Sequence, residues 1–167
     1  VAASYNLDQG ECNSTQSFTA TATDNCGTPD IKYYIGSTEI TFPYDFTVGE
    51  TIVKAVATDV NALTSDCSFT VKVIDNQAPV ITCPAVAASY NLDQGECNST
   101  QSFTATATDN CGTPDIKYYI GSTEITFPYD FTVGETIVKA VATDVNALTS
   151  DCSFTVKVID NQAPVIT

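Results

Sequence analysis

Seven cysteines and a recurring Asp-Asn pair are the residues of this 167-residue chain with chemistry to offer. Histidine and arginine are absent, so neither an imidazole base nor a guanidinium anion clamp is available. Carboxylates are plentiful, but none sits in a motif that would set two of them apart as acid and base. The expectation is a protein that is not an enzyme. The cysteines at 83, 97, 111 and 152 are spaced by 14, 14 and 41 residues. Structural zinc needs closely spaced cysteine pairs or histidines. These spacings favour disulfides, and with them an oxidising, extracellular compartment.

The odd cysteine count has a simple origin. Residues 1–82 and 86–167 are the same sequence: Val1 recurs as Val86, Cys12 as Cys97 and Asp75 as Asp160, a period of 85 residues. Cys83-Pro84-Ala85 joins the copies. One full period carries four cysteines, and continuation of the period would place Cys-Pro-Ala before Val1 and after Thr167. The candidates for bridging are Cys12, Cys26, Cys67, Cys83, Cys97, Cys111 and Cys152, with one left unpaired by the cut. A period this long exceeds the roughly 20–50 residues of solenoid repeats, so each copy is expected to be a domain with its own core. The expected boundaries are 1–78 for the first domain, its first strand truncated, 79–163 for the second, and 164–167 for the start of a third.

The elements that must position these groups are strands. Thr, Val, Ile, Tyr and Phe dominate, punctuated by Gly, Pro and Asn-Asp clusters. Residues 1–6 read as the continuation of a strand that begins upstream, as at 79–82. Residues 15–23 alternate with Phe18, Ala20 and Ala22 on one face. Strands are expected at 30–35, 38–42, 51–58 and 67–74. The last two set Val53, Ala55 and Ala57, then Phe69, Val71 and Val73, inward. Lys32, Lys54 and Lys72 fall on solvent-facing positions, where they guard the sheet. Residues 7–11, 24–29, 36–37 and 59–66 are turns or loops. About seven short strands per copy predict an all-β fold, two tandem immunoglobulin-like β-sandwich domains. Pro79 stiffens the 75–79 linker, and beads of roughly 30–40 Å joined this way predict a rod.

Five ordered motifs resemble the hyalin repeat (HYR) domain: residues 73–84 (Val-Ile-Asp-Asn-Gln-Ala-Pro-Val-Ile-Thr-Cys-Pro), 107–112 (Ala-Thr-Asp-Asn-Cys-Gly), Phe127-Pro128, 141–144 (Val-Ala-Thr-Asp) and 152–156 (Cys-Ser-Phe-Thr-Val). The resemblance implies an immunoglobulin-like fold, an extracellular matrix or adhesion setting, and kinship with the tandem arrays of giant bacterial surface adhesins. Residues 42–49 depart from the family pattern. They lengthen the passage from Phe-Pro to Gly and are expected to form a longer loop, a candidate surface feature. The resemblance also implies a Cys83–Cys152 bond, leaving Cys97–Cys111 and Cys12–Cys26 to pair by elimination. That remainder is strained, since seven extended residues already span about 23 Å and bridged Cα atoms sit within about 7 Å. The other scheme is Cys83–Cys97, Cys111–Cys152 and Cys26–Cys67, which suits neighbouring end loops.

No cofactor is required by any motif. The candidate metal is calcium at the joint between repeats, where Asp75 and Asn76 leave the first domain and Asp109, Asn110, Asp144 and Asp151 lie on loops of the second. Asp-Asn-x-Ala-Pro resembles the calcium-binding linkers of cadherins. Hard oxygen ligands at a joint would fill calcium's six to eight positions, although Asp and Asn are also ordinary turn formers. Asn13 and Asn98 open N-glycosylation patterns. Tyr33-Tyr34 with residues 42–46 is a candidate aromatic sugar platform, set against the alternative that these rings pack the core.

The net charge is −14, half of it on each copy. It excludes nucleic acid as a partner and opposes adsorption to anionic lipid. No apolar window is long enough for a membrane insertion, and no signal peptide is visible at Val1. The expected partners are the neighbouring identical repeats of the same chain and, through surface features, a glycan or protein ligand. The expected function is a structural repeat of a long extracellular, cell-surface or secreted adhesin or filament, serving as an extended spacer. Two alternatives stand beside it: a glycan- or protein-binding module that exploits avidity, and the subunit of a self-assembling fibre.

Overall fold

The computed structural model describes residues 3–164 and residue 166. Val1 and Ala2, which open the expected first strand, and Val165 and Thr167, in the expected start of a third repeat, lie outside the described residues. The chain forms two compact units, Val1–Asn76 and Gln77–Thr167.

Unit 1 contains β1 (Ala3–Asn6), β2 (Asn13–Gln16), β3 (Asp30–Ile35), β4 (Thr38–Ile40), β5 (Tyr44–Thr47), β6 (Gly49–Thr58) and β7 (Thr64–Ile74). Unit 2 contains β8 (Val80–Thr82), β9 (Tyr90–Asn91), β10 (Asn98–Gln101), β11 (Thr106–Thr108), β12 (Asp115–Ile120), β13 (Thr123–Ile125), β14 (Tyr129–Thr132), β15 (Gly134–Thr143) and β16 (Thr149–Ile159). The large sheet of unit 1 runs β1-β7-β6-β3-β4, and that of unit 2 runs β9-β16-β15-β12-β13. Opposite them stand the pairs β2-β5 and β10-β14, with β8-β11 added in unit 2. Two sheets closing on one core make each unit an immunoglobulin-like sandwich.

Period-2 alternation explains which residues fill that core. Along β15, Val138 and Ala140 are fully buried, while Ile137 and Lys139 on the other face are exposed. Along β16, Phe154, Val156 and Val158 are buried, with Thr155 and Lys157 outside. The outward lysines find acidic partners across the strands: Lys54 with Asp66 at 3.3 Å, Lys72 with Glu50 at 3.4 Å and Lys32 with Glu39 at 3.3 Å. The β3-β4 hairpin turns at Gly36, whose φ of +61° is open to glycine without strain.

Phe103 organises the aromatic centre of unit 2. Its ring meets Tyr90, Phe127, Phe131 and Phe154 at centroid distances of 5.8, 5.5, 6.2 and 5.2 Å, all near edge-to-face, the arrangement that the ring quadrupole favours. Phe18 does the same in unit 1.

Three expectations need correction. Residues 42–49 are not an extended surface loop. They contain β5, which pairs antiparallel with β2 and buries Phe46 to 1% exposure. The Tyr-x-Phe alternation of residues 44–46, too short to stand out as a strand, sends Phe46 inward. The expected strand at 15–23 is also broken. Pairing stops at Gln16, and in unit 2 it resumes only at β11. Finally, the opening strand of the repeat is two strands. β8 pairs antiparallel with β11, whereas β9 pairs parallel with β16, so the chain changes sheets between them. Cys83-Pro84 stands at the start of that change, where proline cannot continue a ladder.

Candidate functional site

The structure joins Cys83 to Cys152, with Cα atoms 5.8 Å apart. The bond ties the end of β8 to β16 across a sequence separation of 69 residues. Cys26, Cys67 and Cys97 carry free, exposed thiols, whereas Cys12 and Cys111 are engaged. Three free thiols replace the single one expected. Neither Cys12–Cys26 nor Cys97–Cys111 forms, since Cys26 and Cys97 are free. Cys97 precedes β10, which pairs with β14, whereas Cys111 follows β11, which pairs with β8. The loop-based set, Cys83–Cys97 with Cys111–Cys152 and Cys26–Cys67, is absent as well. Cys67, the counterpart of Cys152, is one of the free thiols.

Asp75 and Asn76 close unit 1, with Asp75 buried and Asn76 exposed. The other four candidate ligands belong to unit 2. Asp144 ends β15 and organises the turn to β16. Its Oδ1 accepts from the N–H groups of Asn146 and Leu148, both at 2.8 Å, and its own N–H donates to Leu148 O at 3.0 Å. That clamp holds Ala147 at a φ of +66°, a region that side chains with a Cβ disfavour. Asp109 closes a second turn by accepting from Cys111 N–H at 2.9 Å, and Asn110 donates to Cys111 Sγ at 3.5 Å. Asp151 stands apart on the outer face of β16, ion-paired with Lys139 at 3.2 Å.

Both clamping aspartates keep a second oxygen in reserve. Asp109 Oδ2 and Asp144 Oδ2 are buried without a hydrogen-bond partner, and so is Ser150 Oγ at the start of β16. Asp144 is 8% exposed, so this oxygen has left water with nothing in exchange, a costly state. The equivalent residues of unit 1, Asp24, Asp59 and Ser65, line one pocket of about 220 Å³. Ser150 and Ser65 escaped the sequence reading. The alternation that sends Cys152 and Phe154 inward puts Ser150 on the same face, and extending the strand by two residues would have revealed it.

Phe46, Phe42 and Tyr33 of the aromatic candidates pack together, while Tyr34 sits opposite Glu39 and Lys54 in the sheet. Phe46 and Phe131 are each 1% exposed, Phe42 meets Tyr33 edge-to-face at 4.8 Å, and Tyr33 Oη accepts from Ala20 N–H at 2.7 Å. Asn13 and Asn98 open β2 and β10, half-buried, opposite Thr47 and Thr132.

This combination of a disulfide from the first strand to the last, aspartate-clamped turns and a phenylalanine hub spans one whole period. The HYR domain model matches residues 74–158. The chain belongs to the HYR domain family. Hyalin of Lytechinus variegatus is 32% identical over 152 residues, covering 88% of this chain and 27% of its own length. The chain thus spans about a quarter of that relative. Among solved structures, fibronectin(III)-like modules of Clostridium thermocellum CbhA align over 99% of this chain and 96% of theirs, at 20% identity and a TM-score of 0.43. Cadherin domains 3–6 of protocadherin gamma B2 align over 93% of this chain and 44% of theirs, at 16% identity and a TM-score of 0.41.

Proposed function

We propose that this HYR chain is a structural repeat of a long extracellular surface adhesin or filament, an extended, non-catalytic spacer that supports adhesion at a distance. The observation that carries the reading is the residue-for-residue identity of two units, each with its own core. Selection for length or avidity rewards repetition of one stable bead, while a binding or catalytic site rewards divergence. The acidic surface suits the role, because like charge keeps neighbouring beads apart and soluble. Disulfides suit an oxidising exterior.

A screen of the two-unit chain against glycan and matrix-protein arrays tests the reading. Absence of saturable binding at micromolar concentration is expected of a spacer. A specific, saturable ligand would replace it with the recognition-module alternative.

Calcium is the cation proposed for the turn aspartates Asp109 and Asp144 of unit 2. The reserve oxygens of Asp109 and Asp144 and the hydroxyl of Ser150 are hard donors held without partners, the donor type that calcium takes. Saturating calcium at a hundred times its Kd is worth about 2.7 kcal/mol. For domains of this size that corresponds to a rise of about 10 °C or more in melting temperature. Equal melting curves in calcium and in chelator would remove calcium from the account.

A further inference from the structure

Every lysine of the chain lies on the outward face of a large sheet. In unit 2, β15 shows Glu135, Ile137, Lys139 and Val141 on that face. Lys157, Thr155, Ser153 and Asp151 of β16 stand opposite them, and Tyr119 and Lys117 of β12 stand opposite Lys139 and Val141. Lys157 pairs with Glu135 at 3.0 Å, Lys139 with Asp151 at 3.2 Å and Lys117 with Glu124 at 3.4 Å. Unit 1 repeats the arrangement with Lys72, Lys54 and Lys32. Asp93, Glu96, Asp109, Asp130, Asp144 and Asp160 lie elsewhere on unit 2, where the described residues include no lysine. Two copies of a chain of net charge −14 therefore oppose like charge on every other surface, and mixed charge only here. The same face carries an apolar residue that the strand does not require. Ile137 is 65% exposed and its counterpart Ile52 is 64% exposed. Thr155, directly opposite Ile137, shows that a β-branched side chain with a hydroxyl serves such a position. Isoleucine instead leaves apolar area in water.

The order of these residues along β15 is self-complementary. Glu135, Ile137 and Lys139 follow one another on one face, as do Glu50, Ile52 and Lys54 on β6. A two-fold axis that crosses the strand at Ile137 lays the run antiparallel on its own copy. Ile137 then meets Ile137, and Glu135 meets Lys139 in both directions. We infer that the outer face of the large sheet is a self-docking surface whose occupant is the same face of a second copy of this chain. Sheets pack in this way about 10 Å apart, with their strands within about 30°. The existing ion pairs offer little resistance, because exposed pairs hold their partners weakly and exchange them at small cost. At about 3.3 Å per residue and 4.8 Å between strands, the sheet offers about 500 Å². Two such faces bury about 1,000 Å² together, the lower edge of a specific interface, which suits a reversible contact. The contact is isologous, the same patch on both partners, and each chain carries the patch twice. The inference goes beyond the spacer reading and does not depend on it, since side-by-side contact leaves the length of a chain unchanged.

Sedimentation equilibrium of the intact 167-residue chain, its free thiols alkylated, tests the inference over a concentration series reaching millimolar. Reversible association is expected. Glu50→Lys with Glu135→Lys places lysine against lysine across the two-fold and is expected to weaken association about tenfold or more. Those changes also lower the net negative charge, so general repulsion between acidic chains predicts the opposite sign. Adding Lys54→Glu and Lys139→Glu makes each run self-complementary again, with its charges exchanged, and is expected to restore association. Ile52→Thr with Ile137→Thr keeps every charge, removes the apolar contact and is also expected to weaken association about tenfold. All these positions are exposed, and the melting curve of each variant checks its fold. A chain that stays monomeric throughout the series would overturn the inference. So would a Glu→Lys variant that associates as well as the parent, a four-residue exchange that restores nothing, or an Ile→Thr variant with unchanged association.

Discussion

Asp144 carries more of the local structure than its place in an acidic loop suggests. Its Oδ1 satisfies two backbone N–H groups and holds Ala147 in a left-handed conformation. Asp144→Ala is expected to destabilise unit 2 by about 1–3 kcal/mol, the cost of leaving buried donors unpaired, measurable in urea denaturation. Ala147→Gly removes the Cβ that disfavours positive φ and is expected to stabilise by up to about 1 kcal/mol. A loss of stability there would show that the clamp does not impose the strain argued. The Cys83–Cys152 bond belongs to the same scale. Replacing both cysteines with serine is expected to cost unit 2 about 2–4 kcal/mol, while the unit 1 transition stays in place. Exposed lysines behave differently. Hydrogen bonding to Glu39 and Glu124 raises the ammonium pKa values of Lys32 and Lys117 above 10.5. What those pairs contribute is present below the ordinary lysine range and fades as pH climbs through the raised values. Both pairs are solvent-exposed, so their removal at neutral pH is expected to leave the melting curves unchanged.

At the scale of elements, β5 and β14 decide whether the small sheet belongs to the core. Phe131 is 1% exposed and touches Phe103, Phe127 and Tyr129. Phe131→Ala is expected to cost about 3–5 kcal/mol, measured as a shift in the unit 2 denaturation midpoint; an effect under 1 kcal/mol would return residues 127–134 to the status of a loop. This element also shows where sequence reading stops. β6 and β7 were legible because long alternating runs such as Thr-Val-Lys-Val leave one register for an apolar face. β5 was not, because four residues between a proline and a valine-glycine pair carry too little pattern to separate strand from loop. The family resemblance named Cys83 and Cys152 as partners, and the structure joins them. Spacing alone could not choose among pairings, since that choice depends on which loops share an end of the sandwich. Asp144 was legible as a turn residue; its buried, unpartnered oxygen was not, because burial is set by chain segments distant in sequence.

At the scale of the whole molecule, two identical beads pose a problem that identity itself creates, since any segment fitting one bead fits the next. β8, anchored to β16 by the Cys83–Cys152 bond, shows one answer within unit 2. The central claim is that repetition in this HYR chain serves length. Rotary-shadowed electron microscopy of arrays of two, four and eight repeats, each with an intact Cys83–Cys152 type of bond, tests it most directly. The account predicts a contour length that grows linearly, by about 30–40 Å per repeat, the length of a sandwich built from strands of this size. Particles whose longest dimension grows only as the cube root of repeat number would contradict it.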